Sequence, residues 1–400
     1  MNPNSENKAP FKDIPLVLYK PSFDSELTSI IIELEKLRVK KLGGPVPPYI
    51  FFQLKEIFQI LESLGSARIE GNNTTLSEFI EKVIEGTPRE TKDEKLREVF
   101  NIERAIDFIE KNVEEHTPIN RALTSEVHKI IVDGLTPPPN GEGSRNPGEL
   151  RQVNVTVQKS SLVPPDYTRV PDYFHELLTF TNQDIESKYD LLITALAHHR
   201  MAWIHPFDNG NGRLVRMFTY ALLIKQGFKV KSGRILNPTA IFCMDRNEYY
   251  NMLALADTGE EGNILTWCTY VLRGLLTEIE KIDRLLDLGY MTNEILLPAL
   301  SYALDRKHIT SREHDILRAV VKHEGMIIKS SDLTSVIGQE SPIQRSRIIK
   351  GLKEKRMLLA PFKEKGRFYT MGFASNYLLR GIIHVLEEKN FIPEFLTKSK

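Results

Sequence analysis

One stretch, Ile204-His205-Pro206-Phe207-Asp208-Asn209-Gly210-Asn211-Gly212-Arg213-Leu214-Val215-Arg216, constrains the fold of this chain more than any other. Upstream, Leu192, Ala195, Leu196 and His199 recur at helical spacing, so an amphipathic helix is predicted over roughly Asp190 to Trp203. Pro206 disfavours helical geometry at the residue before it and ends that helix near His205. Met217, Phe218, Ala221 and Leu222 restart the period, and Gly227 supplies a stop. The stretch is therefore a tight loop joining two helices. Its glycines permit positive φ and let backbone N–H groups turn inward as an anion-binding nest. Arg213 and Arg216 fall three apart in the first turn of the second helix and share a face. Cations there oppose the positive end of the helix dipole, an arrangement that suits an anion bound between them. His205, at the loop's other end, is placed to act as a base on whatever attacks that anion. Asn-Gly pairs alone would make an ordinary joint between helices, with Asp208 or Asn209 as a cap. Turn formation explains neither His205 nor the paired arginines.

The pattern His205-Pro206-Phe207-x-x-Gly210-Asn211-Gly212-Arg213-x-x-Arg216 closely resembles the signature of the Fic (Fido) family. The resemblance implies transfer of AMP from ATP to a hydroxyl side chain of a target protein. It implies that His205 deprotonates the target hydroxyl and that Gly210, Asn211 and Gly212 hold the phosphates. Arg213 would bind the triphosphate and Arg216 its γ-phosphate. The family normally has Asp or Glu immediately before the Gly-Asn pair, where it holds Mg²⁺. Here that residue is Asn209, with the acid one place earlier at Asp208. An amide oxygen can ligate Mg²⁺ but brings no charge.

A second resemblance lies at Ser66-Ala67-Arg68-Ile69-Glu70-Gly71, which is similar to the inhibitory motif of one subclass of the family. A helical pattern from Tyr49 to Leu64 runs into it, and alone Ser66 to Asn72 reads as a helix end with a glycine C-cap. The family motif implies instead that Glu70 pairs with Arg216 and takes the γ-phosphate site. The expected contact is bidentate, because a carboxylate and a phosphate compete for the same guanidinium donors.

Elsewhere the pattern is mostly helical. Helices are expected over Glu26–Val39, 95–112 and 122–132, and Thr75-Leu76-Ser77-Glu78 is a capping box opening another. Residues 1–25 read as an irregular arm with little packing of its own. Val153, Val155 and Val157 alternate with polar residues as a strand, and the chain turns back over Ser160 to Pro165. An isolated hairpin cannot make a core, and it serves better as an edge for an incoming peptide. The family has a flap there that docks the target as an extended segment and covers the nucleotide, near Val157, Gln158, Lys159 and Ser160. The family's usual glycine at this bend is absent. Tyr249, Tyr250 and Asp257 resemble the family's adenosine-side segment, with core packing of either tyrosine an equal alternative.

Beyond Asp305 a different module begins. Helices are expected at 311–323, 331–337 and 341–356, followed by a wing made of Met357-Leu358-Leu359 and Arg367-Phe368-Tyr369-Thr370. This order resembles a winged helix–turn–helix. Residues 301–400 hold 19 Lys+Arg against 11 Asp+Glu, although the whole chain of 400 residues has zero formal net charge. Contact with DNA and contact with protein are equally consistent with that module. At 41% hydrophobic, without a spanning apolar run or a leader pattern, the chain is expected to be cytoplasmic, with no membrane partner. Cys243 and Cys268 make neither a disulfide framework nor a metal spacing.

The expected fold is all-α: a Fic/Fido helical core with a β-hairpin flap, followed by a winged-helix domain. The expected boundaries are an N-terminal helical region 1–115 with the inhibitory motif at 66–72, a catalytic core 116–275, a connecting helix 276–310, the winged helix 311–375 and a C-terminal helix and tail 376–400. The expected function is a protein adenylyltransferase acting on a Ser, Thr or Tyr of a target or of itself, with ATP as substrate, Mg²⁺ as cofactor and Glu70 as the brake. Alternatives are removal of AMP or transfer of another phosphate group on the same scaffold, and a DNA-binding regulator that senses nucleotide. Whether the chain forms a homodimer stays open.

Overall fold

The computed structural model describes residues 11–39, 46–87, 91–157, 162–228, 235–338, 340–361 and 368–397. The chain forms two compact units. One comprises Met1–Lys41, Glu62–Asn73 and Arg89–Ile279, and the other Leu42–Leu61, Thr74–Pro88 and Glu280–Lys400. The helices of the first half are α1 (Glu26–Val39), α2 (Pro48–Glu70), α3 (Leu76–Glu85), α4 (Glu94–Asn112), α5 (Arg121–Val132) and α6 (Val170–Asn182). They are followed by α7 (Asp190–Ile204), α8 (Asn211–Lys225), α9 (Thr239–Met244), α10 (Arg246–Ala256) and α11 (Glu261–Asp283).

In the first unit α7 and α8 form the centre. The expected amphipathic stripe on α7 is replaced by burial nearly all round, with only Asp190 and Ala202 outside the buried set. A helix apolar on every side belongs in the middle of a core. Its polar side chains are matched internally: the His198 ring meets Thr219 Oγ1 at 2.7 Å and the Tyr249 hydroxyl at 2.9 Å. Arg200 donates to the carbonyl of Ile14 and to Glu176. The N-terminal arm is therefore better packed than its composition suggests. Its described residues, 11–25, form no helix or strand, but Ile14 is buried and Phe11 lies 5.7 Å from the Trp203 ring. The buried guanidinium of Arg200 needs acceptors that α7 cannot supply, and the arm brings one.

Capping residues set the ends of these helices. The Asp93 carboxylate accepts from Lys95 N at 3.0 Å to open α4, and Asn120 Oδ1 accepts from Leu123 N at 2.9 Å to open α5. The helical pattern of Tyr49 to Leu64 runs on through Gly65 to Glu70, where residues 61–69 are all buried, and the expected helix end falls within 66–72. Tertiary burial here outweighs the roughly 1 kcal/mol helix penalty of one glycine. Gly71, with φ +117, ends it.

The expected β-hairpin flap is not a ladder among the described residues. Residues 151–157 and 162–166 are extended but unpaired as strands. Pro164 and Pro165 have no N–H to donate, which removes two rungs from the returning arm. A side-chain clip replaces them: Asn154 donates from Nδ2 to Asp166 Oδ2 at 2.9 Å and accepts from Tyr167 N at 2.9 Å.

In the second unit, Gln53 of α2 accepts from Phe373 N at 2.6 Å and donates to the Met371 carbonyl at 3.0 Å. Helix Ser311–Lys322 comes before the first strand, and helices Thr334–Ile337 and Pro342–Glu354 lie between the first and second strands of a three-stranded antiparallel sheet, whose spatial order is first, third, second. Its strands are β1 (Ile328–Lys329), β2 (Leu358–Leu359) and β3 (Phe368–Met371), with Ile328 opposite Tyr369 and Leu358 opposite Met371. The helices appear in the expected order, and β1 is an addition the sequence pattern did not reveal. On and beside the Pro342–Glu354 helix, Arg345 donates to Thr334 Oγ1 at 2.7 Å and Lys355 pairs with Glu313, while Arg347 is exposed. Among the described residues no helix is long and apolar enough to cross a membrane. Cys243 and Cys268 are both buried and free.

The buried Glu62 joins α2 to the start of α9 within the first unit. Its oxygens accept from Thr239 N at 3.0 and 3.2 Å and from the Thr239 hydroxyl. Burial pushes its carboxyl up from the ordinary 4.5 to about 8, against the donors of Thr239 and the charge of Arg216. The folded chain thus keeps a proton that the unfolded chain gives up. Between pH 4.5 and 8 this group's contribution falls as pH rises, by at most about 1.4 kcal/mol per pH unit. Thermal or urea unfolding of Glu62→Gln should show a flatter stability profile across that window than the unsubstituted chain. Identical profiles would remove the protonated carboxyl from the account.

Candidate active site

The loop between α7 and α8 is held by its own side chains before any ligand arrives. His205 closes α7 in the left-handed region, at φ 50 and ψ 61. A non-glycine residue there stores strain, which commonly marks a functional position. Asn211 accepts from Phe207 N and donates to the Phe207 carbonyl, both at 2.9 Å. Its side chain is thereby a clip for the loop, and its backbone is what it presents to an anion. Gly210, at φ +74, is the N-cap of α8, and no side chain caps that helix. An uncapped helix N-terminus of this kind favours an anion.

The His205 ring is poised as a base. Its Nδ1 lies 3.2 Å from the carbonyl of Ala202 and so carries the proton, which leaves the lone pair on Nε2. Burial lowers its pKa, opposed by the Ala202 carbonyl and the charge of Glu70 and aided by the positive charge of Arg151.

The two arginines are both occupied by protein groups. Arg216, almost wholly buried, donates from Nε to Ser66 Oγ, from Nη2 to the Ser66 carbonyl and from Nη2 to Glu70 Oε1, each at 2.8 Å. The expected pairing of Glu70 with Arg216 is therefore present, but through a single carboxylate oxygen rather than a fork. Ser66 takes the donor that a bidentate pair would use. Burial of Glu70 opposes its ionisation, yet the charge and hydrogen bond of Arg216, with Arg213 and Arg246 behind it, hold its carboxyl below the usual range. A Cβ on Gly212 would lie 2.2 Å from Glu70 Oε1, so the carboxylate rests directly on the first turn of α8.

Arg213 reaches Glu98 Oε1 from Nη1 at 2.9 Å and donates from Nη2 to the Glu142 carbonyl at 2.6 Å, with Glu142 Oε2 at 3.4 Å. Burial raises the Glu98 carboxyl, opposed by Arg213 and by Asn72, which donates to Glu98 Oε2 at 2.7 Å. Glu98 and Glu142 carried no signal in the sequence, whereas Asn72 closes the 66–72 stretch. The two acids are far apart in the chain and belong to no motif.

His128 is a further residue that the motif did not reveal. Its ring stacks on Phe207 with centroids 3.9 Å apart. Nε2 donates to the Asn209 carbonyl and Nδ1 accepts from Gly148 N, both at 2.9 Å. Burial drives its pKa down to about 4, so it is neutral and keeps this donor–acceptor polarity.

The remaining expected site residues divide. Tyr250 is half-buried beneath the Arg246 guanidinium, 5.5 Å away, and both Glu70 and Arg216 act on its hydroxyl. Tyr249 is buried with its hydroxyl on His198 and its ring 4.7 Å from Phe242, the core-packing alternative. Asp257 meets His199 Nε2 at 2.9 Å, roughly 15 Å along α10 from Arg246 at 1.5 Å per residue. Val157 is half-buried in the extended arm, while Gln158, Lys159 and Ser160 lie outside the described residues.

The two metal candidates also differ. Asp208 accepts from Ser144 Oγ and, at 2.8 Å, from Arg145 N, so both of its oxygens already hold the 144–145 loop. Asn209 donates from Nδ2 to the Gly143 carbonyl at 3.0 Å and leaves Oδ1 without a partner among the described residues. Among those residues no three His, Cys, Asp or Glu side chains cluster as a metal site. One neutral oxygen fits an Mg²⁺ that arrives on a polyphosphate, and it does not make a resident metal centre.

Residues 118–223 match the model of the Fic/DOC family. A protein adenylyltransferase Fic of Nematostella vectensis is 27% identical over 202 residues, 49% of this chain and 42% of the relative. One of Drosophila yakuba is 28% identical over 201 residues, 49% of this chain and 36% of the relative. The chain thus matches under half the length of these curated relatives. Among solved structures, a Fic family protein of Desulfovibrio desulfuricans G20 superposes with TM-score 0.52 at 18% identity, covering 88% of this chain and 98% of its own. A Fic domain containing signaling protein of Bacteroides thetaiotaomicron gives TM-score 0.51 at 17% identity, covering 66% and 98%. These two likenesses are of fold.

The metal assignment is tested by Asn209→Asp. Adding a charge at the one open oxygen should tighten Mg²⁺-dependent nucleotide binding, read by calorimetric titration at several Mg²⁺ concentrations. Equal Mg²⁺ dependence in both proteins would place the ion away from position 209.

Proposed function

We propose that this chain, which carries a Fic/DOC domain, is a protein adenylyltransferase: it moves AMP from ATP to a Ser, Thr or Tyr hydroxyl of a target protein or of itself. Glu70 restrains that activity. The observation that carries the reading is one loop with an imidazole lone pair at one end and two guanidiniums with an uncapped helix N-terminus at the other. In the reaction, His205 Nε2 takes the proton of the target hydroxyl. The freed oxygen attacks the α-phosphorus, the bond to the bridging β-phosphate oxygen breaks, and pyrophosphate leaves. The α8 N-terminus and Arg213 neutralise charge on the α- and β-phosphates, and Arg216 takes the γ-phosphate. Asn209 Oδ1 would hold an Mg²⁺ together with the phosphates, and that ion would supply further charge neutralisation. The target would lie as an extended segment along residues 151–157 and 162–165, where backbone outside any strand ladder offers donors and acceptors.

With Glu70 in place, the Arg216 Nη2 that would meet a γ-phosphate is held by a carboxylate. A charge-assisted hydrogen bond of this kind is worth about 1.5–3 kcal/mol. Glu70→Gly should therefore raise transfer by on the order of tenfold to a hundredfold. The test incubates the full chain with ATP labelled at the α- or the γ-phosphate, with and without lysate, and counts label retained on protein. Retention from the α-position alone, greater in Glu70→Gly and abolished by adding His205→Ala, is the expected result. Retention from the γ-position alone would mean phosphoryl transfer instead. No retention in any variant would leave hydrolysis or nucleotide sensing.

A further inference from the structure

We infer that Arg151 is a positioning residue that ties both arms of the target-docking segment to the backbone of His205. It rests on the adenylyl-transfer reading for the identity of the docked peptide, and on geometry for the link itself. Arg151 is buried, with only 4% of its surface exposed. Its Nε donates to the His205 carbonyl at 2.8 Å, and Nη2 reaches the Ile204 carbonyl at 3.4 Å. Nη1 donates to the Val153 carbonyl at 3.0 Å, and Nη2 also donates to the Pro165 carbonyl. Its backbone N–H donates to the Pro206 carbonyl at 2.9 Å. Among the described residues no carboxylate forms an ion pair with it.

A buried cation held only by neutral oxygens, all main-chain apart from Asn154 Oδ1 at 3.5 Å from Nη1, is unusual, because charge of this kind is ordinarily paired. Two of these oxygens are the last carbonyls of α7, the negative end of that helix, which suits a guanidinium. That contact caps α7 just where His205 enters its strained left-handed turn. The planar fork of Arg carries several donors in one rigid frame, so its partners cannot move independently. One edge holds Val153 of the outgoing arm, and another donor holds Pro165 of the returning arm. A peptide laid along that segment shifts or stiffens its backbone, and the same guanidinium passes the change to the His205 carbonyl. Docking and base alignment are thereby one event.

The groups facing His205 are Glu70, whose charge raises its pKa, and Arg151, whose charge lowers it, with Ala202 contributing a carbonyl. Two substitutions separate position from charge. Arg151→Lys keeps the charge but loses the fork. Arg151→Gln loses the charge.

Both are made in the full chain carrying Glu70→Gly. Transfer of α-labelled AMP is measured against nucleotide and peptide concentration, and the His205 ring is titrated by NMR after assignment with His205→Ala. Arg151→Lys should lower kcat by about tenfold to a hundredfold, since a misplacement near 1 Å costs that much. Its nucleotide KM and its His205 titration should stay in place. Arg151→Gln should move the His205 titration, and with it the acid limb of the rate profile, to higher pH. An unchanged kcat in Arg151→Lys together with an unchanged titration in Arg151→Gln would overturn the inference. If Arg151→Gln does not fold, a kcat loss at constant nucleotide KM in Arg151→Lys supports the link, and loss of nucleotide binding instead contradicts it. If Glu70→Gly transfers no label at all, the adenylyl-transfer reading fails, and the His205 ring resonances in Arg151→Lys decide the link: displaced at constant charge they support it, and unmoved they overturn it.

Discussion

The site depends on how a buried guanidinium near a helix N-terminus is neutralised. Arg216 lies in the second turn of α8, the sixth residue of that helix, and it is almost wholly buried. Ser66 gives it two neutral oxygens, and Glu70 supplies the charge, all from one stretch of α2. Arg213 is treated likewise by Glu98 and Glu142. Three acids thus face the two arginines, and on the proposed reading a polyphosphate would bind by replacing carboxylate with phosphate. Desolvation penalties for both partners are already met, and the exchange turns on geometry and charge rather than on burying new groups.

The rest of the loop is fixed independently of that exchange. Asn211 clips Phe207, His128 supports Asn209 from below, and Asp208 is anchored by Ser144 and Arg145. None of these contacts involves Glu70. Gly212 matters for a different reason: with any side chain at that position, the Glu70 carboxylate would collide with it. The same open surface that admits the carboxylate is what a phosphate needs for close approach to α8.

Much of this was legible in the sequence where partners are close in the chain. The loop, its glycines, the helix after it and the identities of His205, Arg213 and Arg216 follow from spacing within thirteen consecutive residues. The pairing of Glu70 with Arg216 was available only through family resemblance, since nothing in either segment names the other. Its single-oxygen geometry was not available, because Ser66 has no local pattern that says it will take Nε. Glu98, Glu142, His128 and Arg151 were invisible for the same reason, as each acts across a long loop closure. The flap failed as a ladder at Pro164 and Pro165, which alternation at Val153, Val155 and Val157 could not report. Glu62 looks like any surface carboxylate in a helical pattern, and only burial against Thr239 reveals it as protonated.

The most direct test of the central claim uses inorganic tripolyphosphate, which has the phosphates of ATP and no adenosine. Its affinity is measured by calorimetry for the full chain and for Glu70→Gln, a substitution that keeps shape and removes charge. If Glu70 occupies a phosphate position on Arg216, the substituted protein binds more tightly, by on the order of tenfold to a hundredfold. Equal affinities would mean that Glu70 and phosphate do not compete, and the charge exchange described here would be wrong.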